Sequence, residues 1–211
     1  MSGTRRARVV VLAGPSGSGK SRLAARLHNA HGWPVVRLDD FYRDGDDPRL
    51  PMRELGGTRL ADWDDPGSWD ADAAVAALGR LVADGATEVP RYDIGRSASV
   101  GTDRVSLAPG QLVLAEGIFA AEIIGRLGDE GLLHSAWCVR HRRWLTFVLR
   151  LVRDLSERRK APHILLRRGL ALCRDEPPVI ARMERLGARC ARPREVAGAL
   201  SGADSSRRRS P

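Results

Sequence analysis

Apolar and polar residues follow one another along the chain with two alternating periods, one typical of buried strands and one typical of helices. Short apolar runs that predict buried strands lie at residues 8–13, 34–39, 111–115 and 135–139. Leu23 and Leu27 share one face of a predicted helix, and residues 70–83 form a second, alanine-rich helix with Asp70 as its N-cap. Strands that alternate with helices indicate a parallel α/β sheet flanked by helices.

Three later segments depart from this alternation. Residues 87–109 contain short alternating pieces between turn residues, which predict an antiparallel excursion out of the main sheet. Residues 143–159 predict a long arginine-rich helix. Residues 163–186 predict helical structure with a break at Pro177, where a second helix begins.

The end of the chain carries weaker signals. Residues 196–200 predict a short last turn, and residues 201–211 are polar and basic. With 211 residues, 43% of them hydrophobic, the chain can bury one core. We therefore expect a single domain at residues 1–200, followed by a disordered basic tail at residues 201–211.

The most specific motif joins the first strand to the first helix. Residues 14–21 read G-P-S-G-S-G-K-S, a complete match to the phosphate-binding pattern G-x-x-x-x-G-K-[ST]. The glycines let backbone N–H groups turn inward around a phosphate, Lys20 places an ammonium against the β- and γ-phosphates, and the Ser21 hydroxyl is a suitable Mg²⁺ ligand. The motif predicts binding of a nucleoside triphosphate by Gly14, Pro15, Ser16, Gly17, Ser18, Gly19, Lys20 and Ser21.

Acidic residues follow two of the predicted strands. Asp39 and Asp40 end the second strand, and Glu116 ends the strand at residues 111–115. The carboxyl ends of parallel strands share one edge of the sheet, so these carboxylates should meet the phosphate-binding loop there. Phosphoryl transfer to a hydroxyl uses a carboxylate base and oxygen ligands for Mg²⁺. An acidic pair such as Asp39 and Asp40 can equally serve to cap a turn, and both interpretations stay open.

Composition narrows the class of partner. The net charge is +9, yet lysine occurs only at positions 20 and 160 and aromatic residues make up 5%, which argues against a nucleic-acid groove. No run of 18 apolar residues predicts a membrane span, and no signal-peptide core precedes the first strand. Cys138, Cys173 and Cys190 lack zinc-site spacing, which favours free thiols and a cytoplasmic location.

Five further segments resemble uridine kinases and related P-loop kinases, including phosphoribulokinase and bacterial pantothenate kinase. They are L-D-D-F-Y-R-D at residues 38–44, D-W-D-D-P-G-S-W-D at 62–70, P-R-Y-D at 90–93, E-G-I-F at 116–119 and R-L-V-R-D-L-S-E-R at 150–158. They follow the order of the family, and the resemblance covers roughly residues 8–160. It implies a single-domain P-loop kinase with a five-stranded parallel sheet, a substrate-binding β excursion and a helical lid.

The resemblance also implies roles for single residues. Asp39 would act as the base for the acceptor hydroxyl, and Asp64 would bind ribose hydroxyls. Glu116 would lie near Mg²⁺ or its waters. The acceptor pocket would be lined by Tyr42 and Tyr92, and the lid over ATP would carry Arg150, Arg153 and Arg158. From spacing alone, these arginines also fit a solvated helix face with surface ion pairs.

Two positions depart from the family in the acceptor pocket. Ser97 and Ser99 stand where uridine kinases have a base-reading histidine and an arginine, and Arg96 is the candidate to replace that contact. Residues 43–61 also differ from the family, and Arg159-Lys160 replaces a Gly-Arg pair in the lid. The phosphoryl-transfer residues are thus retained, whereas the residues that identify uridine are not.

The expected activity is transfer of the γ-phosphate of ATP, with Mg²⁺, to a small-molecule hydroxyl, by resemblance the 5′-hydroxyl of uridine or cytidine. A different acceptor, such as pantothenate, a phosphosugar or an antibiotic hydroxyl, stays open because of Ser97 and Ser99. A non-catalytic ATP-binding regulatory protein is the alternative from another class. The expected partner is a small-molecule substrate, without membrane or nucleic acid, and a homo-oligomer stays open.

Overall fold

In the computed structural model, which describes residues 8–55, 57–140 and 177–208, the apolar run after Arg8 forms the central strand β1 (Val9–Ala13). All five of its residues are buried. β1 leads through the glycine-rich loop into helix α1 (Lys20–His31), which ends at Gly32 with a φ of 69°. The predicted strand, loop and helix therefore occur in the predicted order.

The other sheet strands lie on both sides of β1. They are β2 (Val35–Arg37), β7 (Val113–Glu116), β8 (Leu133–Val139) and β9 (Arg189–Ala191). The strand order is β2-β7-β1-β8-β9, and every neighbouring pair is parallel. A five-stranded parallel sheet flanked by helices is thereby confirmed. The carboxyl ends of β1, β2 and β7 share one edge, where the loop and the acidic residues lie.

Alternate residues of β1 point to opposite layers of the core. Val9 and Val11 pack in the layer covered by α2 (Ala71–Asp84), α3 (Ile124–Asp129) and helical residues 177–185. Val10 and Leu12 pack in the opposite layer, which is covered by α1 and by the last helix. We number the helix at residues 177–185 as α4 and the last helix as α5 (Pro193–Arg208). This period of two is what a strand buried on both faces requires.

One predicted detail of local structure is confirmed. The Asp70 carboxylate accepts a hydrogen bond from the backbone N–H of Ala73 at 2.9 Å, so it caps α2. Residues 177–185 are helical, but the residues before Pro177 lie outside the described residues, so the break at Pro177 stays a prediction.

Two antiparallel hairpins lie outside the main sheet. β5 (Ala86–Asp93) pairs with β6 (Ala98–Ser106), which confirms the predicted excursion. β3 (Met52–Leu55) pairs with β4 (Thr58–Ala61), a hairpin that the sequence pattern does not predict.

The carboxyl-terminal segment differs from the sequence prediction. Instead of a short turn at residues 196–200 and a disordered tail, the helix α5 continues to Arg208. Val196 and Leu200 are buried against the sheet layer that contains α1, and this contact anchors the helix. In the described part of the chain, no helix is both long enough and apolar enough to cross a bilayer. The predicted arginine-rich helix at residues 143–159 lies outside the described residues.

Candidate functional site

The glycine-rich loop folds so tightly that its first position excludes a side chain. A Cβ atom built on Gly14 would lie 2.5 Å from the carbonyl oxygen of Val139 and 2.7 Å from Oγ of Ser18. Gly14, Gly17 and Gly19 all have positive φ angles. The loop therefore needs glycine at residue 14, because the backbone there lies close to the backbone of Val139.

Lys20 lies inside the curve of this loop. Its Nζ donates hydrogen bonds to the carbonyl oxygens of Gly14 at 2.8 Å and Pro15 at 3.3 Å, and the side chain is buried. Oγ of Ser18 is also buried, and it has no hydrogen-bond partner within the described residues. A buried hydroxyl and an ammonium at the N-terminus of α1 fit a phosphate group.

Glu116 ends β7 beside the start of α1. It is 5% exposed, and its Oε2 accepts a hydrogen bond from Oγ of Ser21 at 3.2 Å. Burial raises the pKa of this carboxyl, while the nearby Lys20 charge lowers that pKa and the Asp39 charge raises it. The hydroxyl and carboxylate oxygens are hard ligands that suit Mg²⁺. No cluster of three or more His, Cys, Asp or Glu that would hold a metal occurs among residues 8–55, 57–140 and 177–208.

Asp39 lies in a 3₁₀ turn (Leu38–Phe41) that directly follows β2. Its Oδ1 accepts a hydrogen bond from the backbone N–H of Ile118 at 2.9 Å. A Cβ atom on Gly117 would lie 2.8 Å from that same Oδ1, so glycine at this position lets the carboxylate rest against the end of β7. The indole N–H of Trp69 fixes the turn by donating to the carbonyl oxygen of Leu38 at 2.6 Å.

These contacts bring together three residues that the sequence predicts for the site: Ser21, Asp39 and Glu116. A cavity of about 500 Å³ adjoins them, lined by Ser21, Ala25, His28, Val35, Arg37, Asp39 and Glu116. Asp40 takes a different position from Asp39: its carboxylate lies 3.7 Å from Nε of Arg37. Burial raises the pKa of Asp40, and the Arg37 charge opposes that rise. Of the two adjacent aspartates, Asp39 is the one that lines the cavity together with Ser21 and Glu116.

Four half-buried aromatic rings form what we call the aromatic group: Tyr42, Trp63, Tyr92 and Phe119. The centroid of the Tyr42 ring lies 5.9 Å from those of each of the other three. Burial raises the pKa of Tyr42, and the negative charges of Asp39 and Asp64 raise it further. The structure thus places Tyr42 and Tyr92 side by side, close to Asp39.

Asp64 and Arg96, the other two predicted acceptor contacts, are more exposed. The Asp64 side chain is 83% exposed, and its Oδ2 lies 3.9 Å from Nη1 of Arg53. Arg96 is 76% exposed and is ion-paired with Asp93 at 3.7 Å in the turn of the β5–β6 hairpin. Arg150, Arg153 and Arg158 lie outside the described residues, so the lid stays a prediction.

Three hydrogen bonds connect the β5–β6 hairpin to the loop that follows Tyr42, and we call them the hairpin tie. The hydroxyl of Tyr92 donates to the carbonyl oxygen of Arg43 at 3.0 Å, and the backbone N–H of Ser99 donates to Oδ1 of Asp44 at 2.7 Å. The N–H of Gly45 donates to the carbonyl oxygen of Ser97 at 2.7 Å. The two serines that replace the family's histidine and arginine thus hold the hairpin through their backbones.

Sequence reasoning missed several residues of this site. Trp63 and Phe119 each lie inside a quoted motif, and their position beside Asp64 and Glu116 is a signal that could have identified them. Asp44 and Ile118 also lie inside quoted motifs, but the motifs do not predict their partners, because each hydrogen bond joins segments that are distant in sequence: Asp44 Oδ1 accepts from Ser99, and the N–H of Ile118 donates to Asp39.

Comparison with known proteins finds similarity to one family model, to uridine kinases and to a solved kinase structure. The family model described as "AAA domain" matches residues 9–88. A uridine kinase from Vibrio parahaemolyticus is 28% identical over 174 residues, which cover 79% of this chain and 78% of that protein. A uridine kinase from Vibrio atlanticus is 30% identical over 125 residues, covering 56% of each. Among solved structures, a candidate fructose transport system kinase from Silicibacter sp. TM1040 has a TM-score of 0.58 at 18% identity, covering 89% of this chain and 88% of that one.

These findings confirm the resemblance to uridine kinases over most of the chain. They also confirm the fold, which is that of a P-loop kinase.

Proposed function

We propose that this protein transfers the γ-phosphate of ATP to a hydroxyl group of a small molecule, with a nucleoside 5′-hydroxyl as the first candidate acceptor. One observation carries the proposal: Asp39 and Glu116 line one cavity together with Ser21 of the phosphate-binding loop, at the same edge of the sheet. A protein that only binds ATP has no use for a second carboxylate placed beside an aromatic group. Similarity to uridine kinases over most of the chain supports the same conclusion.

The proposed nucleotide site uses the residues of the loop. Backbone N–H groups, the Ser18 hydroxyl and the Lys20 ammonium would hold the phosphates, and Ser21 and Glu116 would hold Mg²⁺. ATP supplies the phosphoryl group, and Mg²⁺ neutralises charge on its phosphate oxygens. Lys20 would exchange its bonds to the Gly14 and Pro15 carbonyl oxygens for bonds to phosphate.

Asp39 is the proposed base. The hydrogen bond from Ile118 to its Oδ1 fixes the orientation of the carboxylate, which would accept the proton of the acceptor hydroxyl. Tyr42 and Tyr92 would form a wall of the acceptor pocket, and Asp64 would accept hydrogen bonds from further hydroxyls. The lid arginines are proposed to neutralise charge on the transferred group. Because the reaction consumes ATP, we expect it to take place in the cytoplasm.

A second candidate is a kinase for an acceptor other than a nucleoside. It is favoured by the hairpin tie, in which Ser97 and Ser99 bond to the loop after Tyr42. Both serines bond there through backbone atoms, and their short hydroxyl side chains offer no counterpart to the histidine and arginine that the resemblance leads one to expect.

The deciding experiment is acceptor-dependent release of ADP from ATP and Mg²⁺, measured with nucleosides, pantothenate and sugars. We expect one class to stimulate release, and we expect Lys20→Ala to abolish it. Asp39→Asn should lower turnover by at least about 10²-fold while ATP binding stays within about twofold, because the amide cannot accept the proton. Stimulation by uridine or cytidine would favour the first candidate, and stimulation by another class would favour the second.

Two results would contradict the proposal. If ATP binds but no acceptor stimulates ADP release, a non-catalytic nucleotide-binding role becomes the better explanation. If Asp39→Asn retains turnover, Asp39 is not the base, and another group must accept the proton.

A further inference from the structure

We propose that the acceptor carries no negative charge: it is an uncharged or amine-bearing molecule, rich in hydroxyl groups, that packs on the aromatic group. This inference rests on the proposed function and deepens it by naming the chemical class of the acceptor. It is carried by the arrangement of rings, carboxylates and arginines around Tyr42.

The aromatic group offers an apolar surface within reach of the proposed base. Its four rings are half-buried, so each is held by packing and still exposes part of its surface. Rings of this kind stack against the apolar faces of sugar and base rings. The surface therefore suits a cyclic acceptor better than a short linear acid.

The arginine nearest in sequence to Tyr42 is fully engaged by the fold. The side chain of Arg43 is 14% exposed, and its Nη1 lies 3.5 Å from Asp47 and 3.3 Å from Asp70. Its Nε also donates to the carbonyl oxygen of Gly67 at 3.1 Å. An anionic group of the acceptor would have to break these contacts to reach Arg43.

Three more arginines on the segments around the aromatic group also have carboxylate partners. Arg37 pairs with Asp40, Arg53 with Asp62 and Asp64, and Arg96 with Asp93. Each pair is partly exposed, so it contributes little to stability. The pairs matter more for binding, because these four described arginines, Arg37, Arg43, Arg53 and Arg96, are already matched by acidic groups.

The carboxylates outnumber the cations in this part of the chain. Residues 37–70 contain ten acidic residues and five arginines, a net charge of −5 in a chain whose net charge is +9. Asp39 and Asp64 lie close enough to Tyr42 to raise its pKa. Ionised carboxylates only accept hydrogen bonds, so hydroxyl and ammonium groups match them, whereas phosphate and carboxylate groups are repelled.

The test compares acceptors that differ mainly in charge, with the full chain, ATP and Mg²⁺. One series is glucose, glucosamine, gluconate and glucose 6-phosphate, and the other is uridine and uridine 3′-phosphate, which keeps the 5′-hydroxyl. We expect kcat/KM for the uncharged or amine-bearing member to exceed that for its anionic counterpart by at least about tenfold. Asp64→Lys should reduce this ratio about tenfold. The control Asp46→Lys changes the net charge equally at an exposed position of a neighbouring loop and should leave the ratio within about twofold.

The outcomes separate this inference from the proposed function. Preferred turnover of a phosphorylated or carboxylated acceptor would overturn the inference and leave the kinase proposal standing. An equal effect of Asp64→Lys and Asp46→Lys on the ratio would also overturn it, since the local carboxylate would then have no special role. Absence of turnover with every acceptor, with ATP still bound, would remove both.

Discussion

At the scale of single residues, the position of Asp39 depends on a glycine in another segment. Gly117 leaves the space that the Asp39 carboxylate occupies, and Ile118 donates the hydrogen bond that orients it. A side chain at residue 117 would meet Oδ1 of Asp39 at 2.8 Å and Cβ of Leu38 at 2.9 Å. Both distances are too short for the native arrangement, so the carboxylate or the turn must move.

Gly117→Ala should therefore impair catalysis without impairing nucleotide binding. We expect kcat to fall by about 10²-fold, because a displacement of about 1 Å at a catalytic group has that effect, and ATP binding to change less than about twofold. The control is Gly79→Ala in α2, where a Cβ atom would lie 3.9 Å from its nearest neighbour, Leu132. It should leave kcat unchanged and raise the free energy of unfolding by up to about 1 kcal/mol. Unchanged kcat in Gly117→Ala would contradict the proposed role of Asp39.

The carboxyl group of Glu116 makes stability depend on pH. Its pKa is raised above the ordinary 4.5 by burial, with the Asp39 charge adding to the effect. The native state therefore holds this proton more tightly than the unfolded chain does. The contribution of Glu116 to stability is fully present below about pH 4.5 and is lost as pH rises through the raised value.

Glu116→Gln should therefore become more stabilising as pH rises. Without nucleotide and metal, we expect the Tm of the variant minus that of the wild type to increase between pH 4.5 and pH 8. The Gln amide oxygen can still accept the bond from Ser21, so the difference isolates the charge. Thermal unfolding at several pH values measures it. A Tm difference that is the same at every pH would show that the carboxyl group titrates normally.

At the scale of elements, the hairpin tie connects the acceptor side of the site to the β5–β6 hairpin. Asp44 contributes the only side-chain carboxylate to these three bonds, through the 2.7 Å contact to Ser99. Asp44→Ala should raise the KM for the acceptor about threefold to tenfold, because a partly exposed charged hydrogen bond contributes about 1 kcal/mol, and it should leave the KM for ATP unchanged.

Two further variants in this loop test whether the rise in the acceptor KM comes from the Asp44–Ser99 hydrogen bond. Asp44→Asn keeps an oxygen that can accept the bond from Ser99, so steady-state kinetics should give an intermediate KM. Asp46→Ala, two residues away and exposed, should have no effect on either KM. An equal rise in the KM for ATP after Asp44→Ala would point to a general loss of folding.

The helices and strands whose apolar residues form a continuous run or a regular repeat were predictable from the sequence, and the others were not. β1, α1, α2 and β7 carry continuous apolar runs or a regular helical face, so burial dictates their form. The β9 strand has only three residues, Arg-Cys-Ala, and exists because it completes the edge beside β8.

The remaining differences have similar physical causes. The β3–β4 hairpin is mostly exposed, so its residues show no alternation of apolar and polar positions. The burial of Val196 and Leu200 stabilises α5. The residues after Leu200 are polar and mostly weak helix formers, so the sequence does not predict that the helix continues to Arg208. In the site, motifs predicted the residues at strand ends, whereas Asp44 and Ile118 depend on contacts between segments that are distant in sequence.

At the scale of the whole molecule, charge is separated between two regions. Residues 37–70 carry a net charge of −5, so the rest of the chain carries +14. The acidic region contributes Asp39, Tyr42 and Asp64 to the proposed acceptor pocket, and the basic remainder includes Lys20 of the nucleotide site. An anionic nucleotide and an acceptor without negative charge would then be attracted to different parts of one surface.

Salt should reveal this separation through the sign of its effects. Raising the salt concentration from 0.1 M to 1 M shortens the screening length from about 10 Å to about 3 Å. The KM for ATP should rise, because its attraction is screened, while the KM for an uncharged acceptor should change less than about twofold. For the phosphorylated analogue of that acceptor, KM should fall, because the screened interaction is a repulsion from the carboxylates. Steady-state kinetics in both chloride and acetate salts would measure these effects and control for specific anion binding. If salt instead raises the KM for the phosphorylated analogue, the acceptor pocket attracts anions, and its net field must come from basic residues.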